Sequence, residues 1–438
     1  MLPSVRRTFQ ESPHMIRTDS MFPLVRLAGC VAAGMTAAMT TPCQGAELFL
    51  LGAVPFSYAQ GVSADGTKVI GSDSFGAWLW TRESWVVRIE GSLAYGNGVG
   101  GRPAITEDGL TALCAKLEND KDPRAEAVLY DVTLNTFDAA VGNLGFNCDI
   151  SRMSGWGMSP SGSHVCGLAY VAFCSPLGFV WDAATDSIKT LPSVYIYKPT
   201  RANGISDDGG FVCGWNDDYT GYRQGCVWRR DANGNYVATL LNAGTAASKL
   251  REASVVSGNG VWAYGQGSSV TGGAPYRWSV ATGYQPIVPL PPGSPQNGFV
   301  NYANYDGSKL LTYMGGETYL WFEGRGYVSL HDWALENGFD LTLEWGFRGF
   351  SMTADGLTIV GDALRLADGV PSPFVLDLRP VAGPCPADLD GDGAVGASDI
   401  AALLSAWGAL GGAADINGDG EVGAPDLAAL LSAWGACP

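Results

Sequence analysis

The chain has 438 residues and a formal net charge of −17, with 26 basic and 43 acidic side chains. This excess of acid excludes a non-specific binder of nucleic acid or of anionic membranes, because both need a basic surface. Sixty glycines, 47 aromatic residues (14 Trp, 17 Tyr, 16 Phe) and only 16% charged residues favour many short strands joined by tight turns. Three histidines, His14, His164 and His331, leave little material for a zinc centre.

The N-terminal segment has the features of an export signal. Four arginines between residues 6 and 26 precede an apolar run from Leu27 to Met39, and a cleavage point follows near Ala46. The run is too short to span a bilayer, so residues 1–46 are predicted to be a signal peptide and not a transmembrane anchor. We therefore expect a secreted or cell-surface protein. The letters LAGC, ending at Cys30, resemble a lipoprotein box, but most of the apolar run lies after that cysteine.

A strand–turn–strand pattern recurs seven times between residues 61 and 361. Examples are GVSADGTKVIG from Gly61, GISDDGGFVCG from Gly204 and SMTADGLTIVG from Ser351. The turn residues, each followed by Gly, are Asp65, Asp108, Ser161, Asp208, Asn259, Asp306 and Asp355. Glycine after the turn residue is typical of a tight hairpin, because glycine accepts a positive φ.

Each turn is followed by a further apolar strand. The last residues of these strands are Trp80, Tyr130, Trp181, Trp228, Trp278, Trp321 and Leu376. Seven units of about 48 residues with up to four strands predict a mainly β fold, a seven-bladed propeller over residues 47–380. A β-sandwich with accidental periodicity is the alternative. Since the last unit lacks a fourth strand, we expect Glu47–Gly52 to supply it and close the ring.

The repeat, G-[IV]-S-x-D-G followed by two strands, resembles the HAF-type repeats of secreted bacterial proteins over roughly residues 60–378. The resemblance implies an extracellular β-propeller but no activity, because no general activity attaches to that family. The second unit departs most from the pattern, with Cys114 in place of the glycine that ends the strand elsewhere.

Eight cysteines follow the signal segment, and an even number in an exported chain predicts disulfides. They are Cys114, Cys148, Cys166, Cys174, Cys213, Cys226, Cys385 and Cys437. Cys213 and Cys226 fall on neighbouring strands and are predicted to pair. Cys166 and Cys174 bracket the equivalent loop one unit earlier and are also predicted to pair. For Cys114 and Cys148, a disulfide and two buried thiols are both open.

Catalytic motifs are scarce in the propeller. Ser206, Asp208 and Gly210 match part of the S-x-D-x-G box of sialidases, but Cys213 occupies the aromatic position of that box. The chain contains no G-x-S-x-G elbow, H-E-x-x-H motif or phosphate loop. We therefore predict no catalytic residue.

Carbohydrate chemistry is the alternative. Two carboxylates across a cleft would suit glycoside hydrolysis, and the candidates are Glu107, Asp207, Asp217 and Asp218. Acids in turns usually only cap the backbone. The loop aromatics Trp215, Tyr219 and Tyr222 could stack on sugar rings, although packing explains them equally well.

A second repeat lies at the C-terminus. ADLDGDGAVGASDIAALLSAWG begins at Ala387, and ADINGDGEVGAPDLAALLSAWG begins at Ala414. Each copy has the spacing of a calcium loop, with oxygen ligands at alternate positions, glycine at position 6 and a carboxylate at position 12. The predicted ligands are Asp388, Asp390, Asp392, the Ala394 carbonyl and Asp399, then Asp415, Asn417, Asp419, the Glu421 carbonyl and Asp426.

The twelfth position is Asp in both copies, and a single helix follows each loop. Residues 385–438 therefore resemble type I dockerins. The resemblance implies a small all-α, EF-hand-like module with two Ca²⁺ sites that docks onto a cohesin-like protein or another cell-surface component. Ala397-Ser398 and Ala424-Pro425 depart from the Ser-Thr pair that cohesin-reading dockerins often carry.

Apolar residues at i, i+3, i+4 and i+7 predict that the two helices pack face to face. They are Ile400, Leu403, Leu404 and Trp407, and Leu427, Leu430, Leu431 and Trp434. Cys385 and Cys437 bracket the module and are predicted to form a disulfide, because so small a core needs a staple. Residues 381–384 are predicted to be a linker. We expect non-catalytic binding or attachment outside the cytoplasm, with a polysaccharide-degrading enzyme or accessory protein as the alternative.

Overall fold

The computed structural model describes most of the chain. The described ranges are 26–28, 46–52, 57–93, 101–119, 122–141, 153–171, 174–293, 298–341, 344–379, 385–390, 392–409, 412–417 and 421–437. Most of the predicted signal segment, the linker 381–384, Cys148 and Asp419 therefore lie outside the described residues. Within the described ranges, no helix is both long and apolar enough to cross a bilayer.

The first three repeats each fold into an antiparallel four-stranded sheet, because apolar strands alternate with Asp-Gly turns. Blade 1 comprises Tyr58–Val62, Lys68–Asp73, Gly76–Thr81 and Trp85–Arg88. Blade 2 comprises Ala104–Ile105, Thr111–Asn119, Asp122–Asp131 and Thr136–Ala140. Blade 3 comprises Met153–Met158, His164–Val171, Ser175–Asp182 and Ser187–Thr190.

The next three repeats fold in the same order. Blade 4 comprises Thr200–Ile205, Phe211–Asp217, Arg223–Arg230 and Tyr236–Leu240. Blade 5 comprises Ala253–Val256, Ala263–Gly265, Tyr276–Ser279 and Gly283–Pro286, with a short 3-10 helix at Ser269–Thr271. Blade 6 comprises Phe299–Ala303, Lys309–Met314, Glu317–Phe322 and Gly326–Ser329, followed by the helix α1 at Leu330–Glu336.

Blade 7 joins the two ends of the ring. Its first three strands are Trp345–Met352, Thr358–Arg365 and Pro371–Asp377, and its fourth is Glu47–Leu50 from the start of the described chain. Glu47–Leu50 pairs antiparallel with Pro371–Asp377, so the predicted closing strand is confirmed. Arg26–Ala28 pairs with it in turn as a fifth strand. The closed ring leaves no open edge between the first and last blades.

The predicted turns between the first and second strands form in all seven blades. In blade 1 the Ser63 hydroxyl donates to Asp65, which also accepts the Thr67 N–H at 3.0 Å. The glycine after each turn residue has a φ between 65° and 80°, as expected for a hairpin of this type. The glycines are Gly66, Gly109, Gly162, Gly209, Gly260, Gly307 and Gly356.

The core lies between neighbouring blades. Trp228 of blade 4 is fully buried against Cys166 and Val180 of blade 3, and Trp80 of blade 1 packs on Phe49 of the closing strand. Each large aromatic thus fills the wedge between two twisted sheets, which explains why most of the repeats place one at the end of the third strand.

Two disulfide predictions in the propeller are wrong. Cys166, Cys213 and Cys226 are buried free thiols, and Cys174 is bonded but not to Cys166. The register pairs Cys213 with Val227 and Gly214 with Cys226, an offset of one residue. Because side chains alternate across a sheet, the two sulfurs point to opposite faces of blade 4. Cys114 is likewise a buried free thiol.

The C-terminal module contains two helices, α2 at Ala397–Ser405 and α3 at Ala424–Ser432. A two-stranded pairing joins Ala394–Val395 to Gly435–Ala436. The predicted disulfide between Cys385 and Cys437 is present and spans 52 residues. The helix bounds and this disulfide agree with the EF-hand-like arrangement expected from the sequence.

Candidate functional site

The first strands of the seven blades surround a central channel. At the end where these strands begin, the channel opens into a cavity of about 310 Å³. We call this opening the channel mouth. The basic and aromatic residues of its wall are Tyr58, Arg102, Trp156, Arg201, Arg348 and Phe350. Five blades contribute these six side chains, so the mouth exists only because the ring closes.

Two of the three guanidinium groups of the mouth, those of Arg348 and Arg201, are held by neighbouring side chains. Arg348 forms two hydrogen bonds to Asp362, at 2.8 and 2.9 Å, and stacks 4.9 Å from the centre of the Phe350 ring. Arg201 donates to Asn203 at 2.8 Å and lies 3.8 Å above the Trp156 ring. These bonds fix both cations at the rim and orient them before any ligand arrives.

The opposite end of the channel is lined by the first turns. Neighbouring turns are joined by backbone hydrogen bonds, from Ala64 N to Glu107 O at 2.8 Å and from Glu107 N to Pro160 O at 2.9 Å. Burial, and then the nearby charge of Asp207, raise the pKa of Glu107. The structure therefore brings two of the predicted candidate carboxylates, Glu107 and Asp207, within electrostatic reach of each other.

The other two candidate carboxylates, Asp217 and Asp218, lie in different environments. Asp218 is 3% exposed and bonded to Lys249 at 2.5 Å, and the bonds from Lys249 and Thr220 hold its pKa well below the ordinary value. Burial raises the pKa of Asp217. Because Asp218 is held by its own partners, it is unsuited to proton transfer.

The partial sialidase box is a structural turn. The Ser206 hydroxyl donates to Asp208 at 2.6 Å, and Asp208 accepts the Gly210 N–H at 2.8 Å. Ser63 and Asp65 make the same serine–aspartate contact in blade 1. The match in blade 4 thus reflects turn chemistry shared by the repeats.

The structure also brings together a serine, a histidine and an aspartate that the sequence analysis did not predict as a site. His164 Nδ1 lies 2.9 Å from the Ser163 hydroxyl, and its Nε2 lies 3.7 Å from Asp182. However, Nδ1 also lies 3.1 Å from the Asp207 carbonyl, which can only accept. If Nδ1 carries a proton and donates it to this carbonyl, Nδ1 cannot accept the proton of the Ser163 hydroxyl. The arrangement therefore fits a turn contact and not an activated nucleophile.

The first calcium-type loop gathers three carboxylates. Ligand oxygens of Asp388, Asp390 and Asp392 all lie within 4.8 Å of one another. The loop is wound around these carboxylates, which accept backbone N–H groups: Asp388 accepts that of Gly393 at 2.9 Å, and Asp392 accepts that of Ala394 at 2.9 Å. Gly393, at position 6, has a φ of 89°, the sharp turn that this position needs.

The twelfth residue of each loop ties the loop to its helix. Asp399 is fully buried, and its two oxygens accept the N–H groups of Leu389 at 2.7 Å and Gly396 at 2.7 Å. Asp426 likewise accepts from Asn417 at 3.1 Å and Gly423 at 2.7 Å. Backbone hydrogen bonds, first that from Gly396, lower the pKa of Asp399, so it is held as an anion.

The residues present fit a hard divalent cation. Residues 385–438 include eight acids and no Lys, Arg or His, so the module itself contains no basic side chain to balance the converging carboxylates. Calcium takes oxygen ligands from carboxylates and main-chain carbonyls in a flexible geometry. When bound, the ion would be held in the first loop by Asp388, Asp390 and Asp392. In the second loop, Asp415 and Asn417 correspond to Asp388 and Asp390, and Glu421, at the position of Ala394, would add its main-chain carbonyl.

The helices bury only part of their predicted apolar faces. Leu403 and Leu430 are fully buried in the core of the module. Ile400 and Leu427 pack against that core, as predicted. The predicted packing of the other four positions is wrong, because they are about half exposed: Leu404 (52%), Trp407 (48%), Leu431 (51%) and Trp434 (54%). Each helix therefore presents one leucine to solvent, and the segment just after each helix presents one tryptophan.

Comparisons with known proteins bear on one segment of the chain. No curated protein matches the chain. Among solved structures, TolB from Acinetobacter baumannii is 13% identical with a TM-score of 0.38, covering 73% of this chain and 62% of its own. The RRP9 WD40 repeats are 13% identical with a TM-score of 0.47, covering 76% and 97%.

A further solved structure is oligogalacturonate lyase from Vibrio parahaemolyticus, which is 12% identical with a TM-score of 0.43 and covers 77% and 94%. The chain spans less than two thirds of the TolB chain. Residues 386–432 match the family model described as the dockerin type I domain. This segment of the chain is therefore similar to type I dockerin domains.

Proposed function

We propose that this is an exported binding protein, in which the propeller holds a ligand and the C-terminal module attaches it to a partner outside the cytoplasm. The proposal depends chiefly on one observation. Leu404 and Leu431 on the two helices, with Trp407 and Trp434 just after the helix ends, are about half exposed in a segment that matches a dockerin. Exposed aromatic and leucine side chains of this size are typical of protein interfaces.

The chemistry of this surface indicates the partner. Both helices begin with small residues, Ala397-Ser398 and Ala424-Pro425, and residues 385–438 contain no basic side chain. Hydrogen bonds and ion pairs from the helices are therefore few, and binding would depend on burial of the two tryptophans. A cohesin-type domain with an apolar face fits this surface.

Calcium is proposed to bind both loops and to make attachment conditional on the metal. Eight like charges in so small a module repel one another unless a cation neutralises them. Because Asp399 and Asp426 also bond to the start of α2 and α3, order in the loops and order in the helices are coupled. Loss of the metal should therefore remove the docking surface.

A binding assay with a panel of recombinant cohesin domains tests the proposal. The full chain should bind at least one cohesin with Ca²⁺ present, and excess EDTA should abolish binding. Trp407→Ala with Trp434→Ala should weaken binding at least about 100-fold, as expected for two interface anchors. Leu366→Ala, which truncates a 63% exposed propeller residue, is the matched control. Binding that survives EDTA or the double substitution would refute this mode of attachment.

One observation favours an enzymatic alternative. Burial and the nearby Asp207 carboxylate raise the pKa of Glu107, the kind of environment that suits the acid of a glycoside hydrolase. Asp207, however, already accepts two hydrogen bonds from Ser161, at 3.0 and 2.6 Å. Screening the protein on polysaccharides decides between the two functions, since turnover abolished by Glu107→Gln would establish the enzyme.

A further inference from the structure

A row of cations and aromatic rings runs from the channel mouth across blade 4. Arg201 lies 3.8 Å from the Trp156 ring centre and 5.5 Å from that of Trp215. The Arg223 guanidinium lies 4.6 Å from the same Trp215 ring centre. Since Trp215 is only 4% exposed, its indole is a fixed ring that contacts two guanidinium groups.

The outer end of this row is an exposed aromatic platform. Tyr197 is 92% exposed and Tyr219 is 65% exposed. The Tyr195 and Tyr219 ring centres are 5.3 Å apart, and the Lys198 ammonium lies 5.6 Å from the Tyr219 ring. Tyr197 also adopts a left-handed backbone with φ 58°, a strained conformation for a non-glycine residue. Exposed rings of this kind are suited to a ligand with flat apolar faces.

The charge of this surface differs from that of the whole chain. Its five basic side chains, Arg102, Arg201, Arg223, Arg348 and Lys198, face three carboxylates, Glu252, Asp362 and Asp217. The chain as a whole carries −17. Because these basic side chains outnumber the carboxylates, they favour an anionic ligand that contacts them directly. A densely charged polyanion would also meet the acidic remainder of the surface, which repels it.

From these contacts we infer that the channel mouth and the row across blade 4 bind an acidic oligosaccharide. Sugar rings offer C–H faces that stack on exposed tyrosines, and one carboxylate per ring matches planar guanidinium groups. The inference deepens the proposed function, since it names the class of ligand that the propeller would hold. Single-stranded nucleic acid is the competing polyanion, and the following test separates the two.

The test is calorimetric titration of the full chain, with Ca²⁺ present, by hexamers of galacturonate and mannuronate. Neutral cellohexaose and a short oligothymidylate are the comparison ligands. Binding of an acidic hexamer should be at least tenfold tighter than that of cellohexaose, and should weaken as salt is raised. Equal binding of the neutral hexamer, or tighter binding of the oligothymidylate, would overturn the inference.

Substitutions locate the site. Arg201→Gln should weaken binding about tenfold or more, since it removes a forked contact to a carboxylate. Tyr219→Ala, at an exposed position where folding is not at risk, should weaken binding about fivefold, the loss of one stacked ring. Arg325→Gln, in the turn between the third and fourth strands of blade 6, is the matched control. Affinity unchanged by both Arg201→Gln and Tyr219→Ala would also refute the assignment.

Failure of this inference is distinguishable from failure of attachment. The Trp407→Ala, Trp434→Ala variant should keep full affinity for the acidic hexamer, because both substitutions lie in the C-terminal module. Conversely, Tyr219→Ala should leave cohesin binding unchanged. A variant that loses both activities would show that the two surfaces are not separate.

Discussion

Glu47 and Asp377 face each other across the strand pair that closes the propeller, and both carboxylates contact the guanidinium of Arg82. Arg82 follows the third strand of blade 1, so its side chain joins the closing blade to the first. Glu47 is 9% exposed and Asp377 is 4% exposed, so Arg82 bridges two buried carboxylates, and Arg379 pairs with Asp377 as well, at 2.8 Å. Charge therefore supplements the backbone hydrogen bonds that hold the N-terminal strand.

Arg82→Ala tests this closure. The substitution removes this cation from the buried Glu47 carboxylate, whereas Asp377 keeps its pair with Arg379, so the free energy of unfolding should fall by about 3 kcal/mol. Urea denaturation followed by tryptophan fluorescence measures the change. Arg365→Ala is the matched control, because its ion pair with Asp368 is solvent-exposed and adds little to stability. Equal losses in the two variants would show that the buried bridge adds nothing to closure.

Asp377 should also make stability depend on acidity. Burial raises the pKa of Asp377, but the hydrogen bonds and charge of Arg379, with the bond from Arg82, outweigh it and hold the pKa below the ordinary value. The stabilising contribution is therefore fully present above about pH 4, where an unfolded aspartate ionises, and is lost as pH falls through the lower folded-state pKa.

Asp377→Asn removes this titration. The variant should lose less stability than the parent between pH 5 and pH 2.5, as measured by urea midpoints across that range. Asp340→Asn, at an exposed site, should keep the pH dependence of the parent chain. If the urea midpoint of the Asp377→Asn variant fell as steeply with decreasing pH as that of the parent chain, Asp377 would be excluded as a source of acid sensitivity.

The features that the sequence predicted well are set by local chemistry. A turn residue followed by glycine identifies each hairpin, and the unpaired strand at Glu47 is the missing strand of the last blade. The disulfides were harder, because a one-residue offset between Cys213 and Cys226 places the sulfurs on opposite faces. Such an offset is set by register, which a spacing of thirteen residues does not reveal.

The exposed tryptophans and the channel mouth were missed for different reasons. Trp407 fits a helical apolar stripe, but a two-helix module has too little partner surface to cover four positions on each helix. Trp156, Arg201 and Arg348 come from three blades and meet only when the ring closes. No local pattern marks residues that are brought together by long-range topology.

The corrected cysteine chemistry predicts a labelling pattern. Cys114, Cys166, Cys213 and Cys226 are buried free thiols, and burial raises the pKa of Cys114 to about 12 and those of the others further. Because the thiolate is the reactive form, none of the four should react with iodoacetamide in the native protein at pH 8. All four should react in guanidinium chloride without reductant, as read by peptide mass spectrometry.

Cys385 and Cys437 provide the internal control for that experiment, since they should be labelled only after reduction. Recovery of a peptide in which Cys213 is bonded to Cys226 would contradict the register of blade 4. Labelling of Cys166 in the folded protein would contradict its burial.

Calcium should stabilise the C-terminal module and leave the propeller unchanged. A ligand at 1,000 times its dissociation constant stabilises a fold by about 4 kcal/mol per site, a large fraction of the stability of so small a unit. Scanning calorimetry of the full chain should show one transition that EDTA shifts down and a second that EDTA does not move. Asp388→Ala with Asp392→Ala should reproduce the effect of EDTA, because these residues supply two of the three carboxylates that converge in the first loop.

The control replaces two exposed propeller acids, Asp231→Ala with Asp340→Ala, and so changes the net charge by the same amount. It should leave the calcium-dependent transition in place. If calcium shifted neither transition, the loops would not be metal sites, and the repulsion among eight carboxylates would need another source of relief. If the loop variant lowered both transitions together, the module would not fold independently, and its calcium would be a part of the propeller's stability.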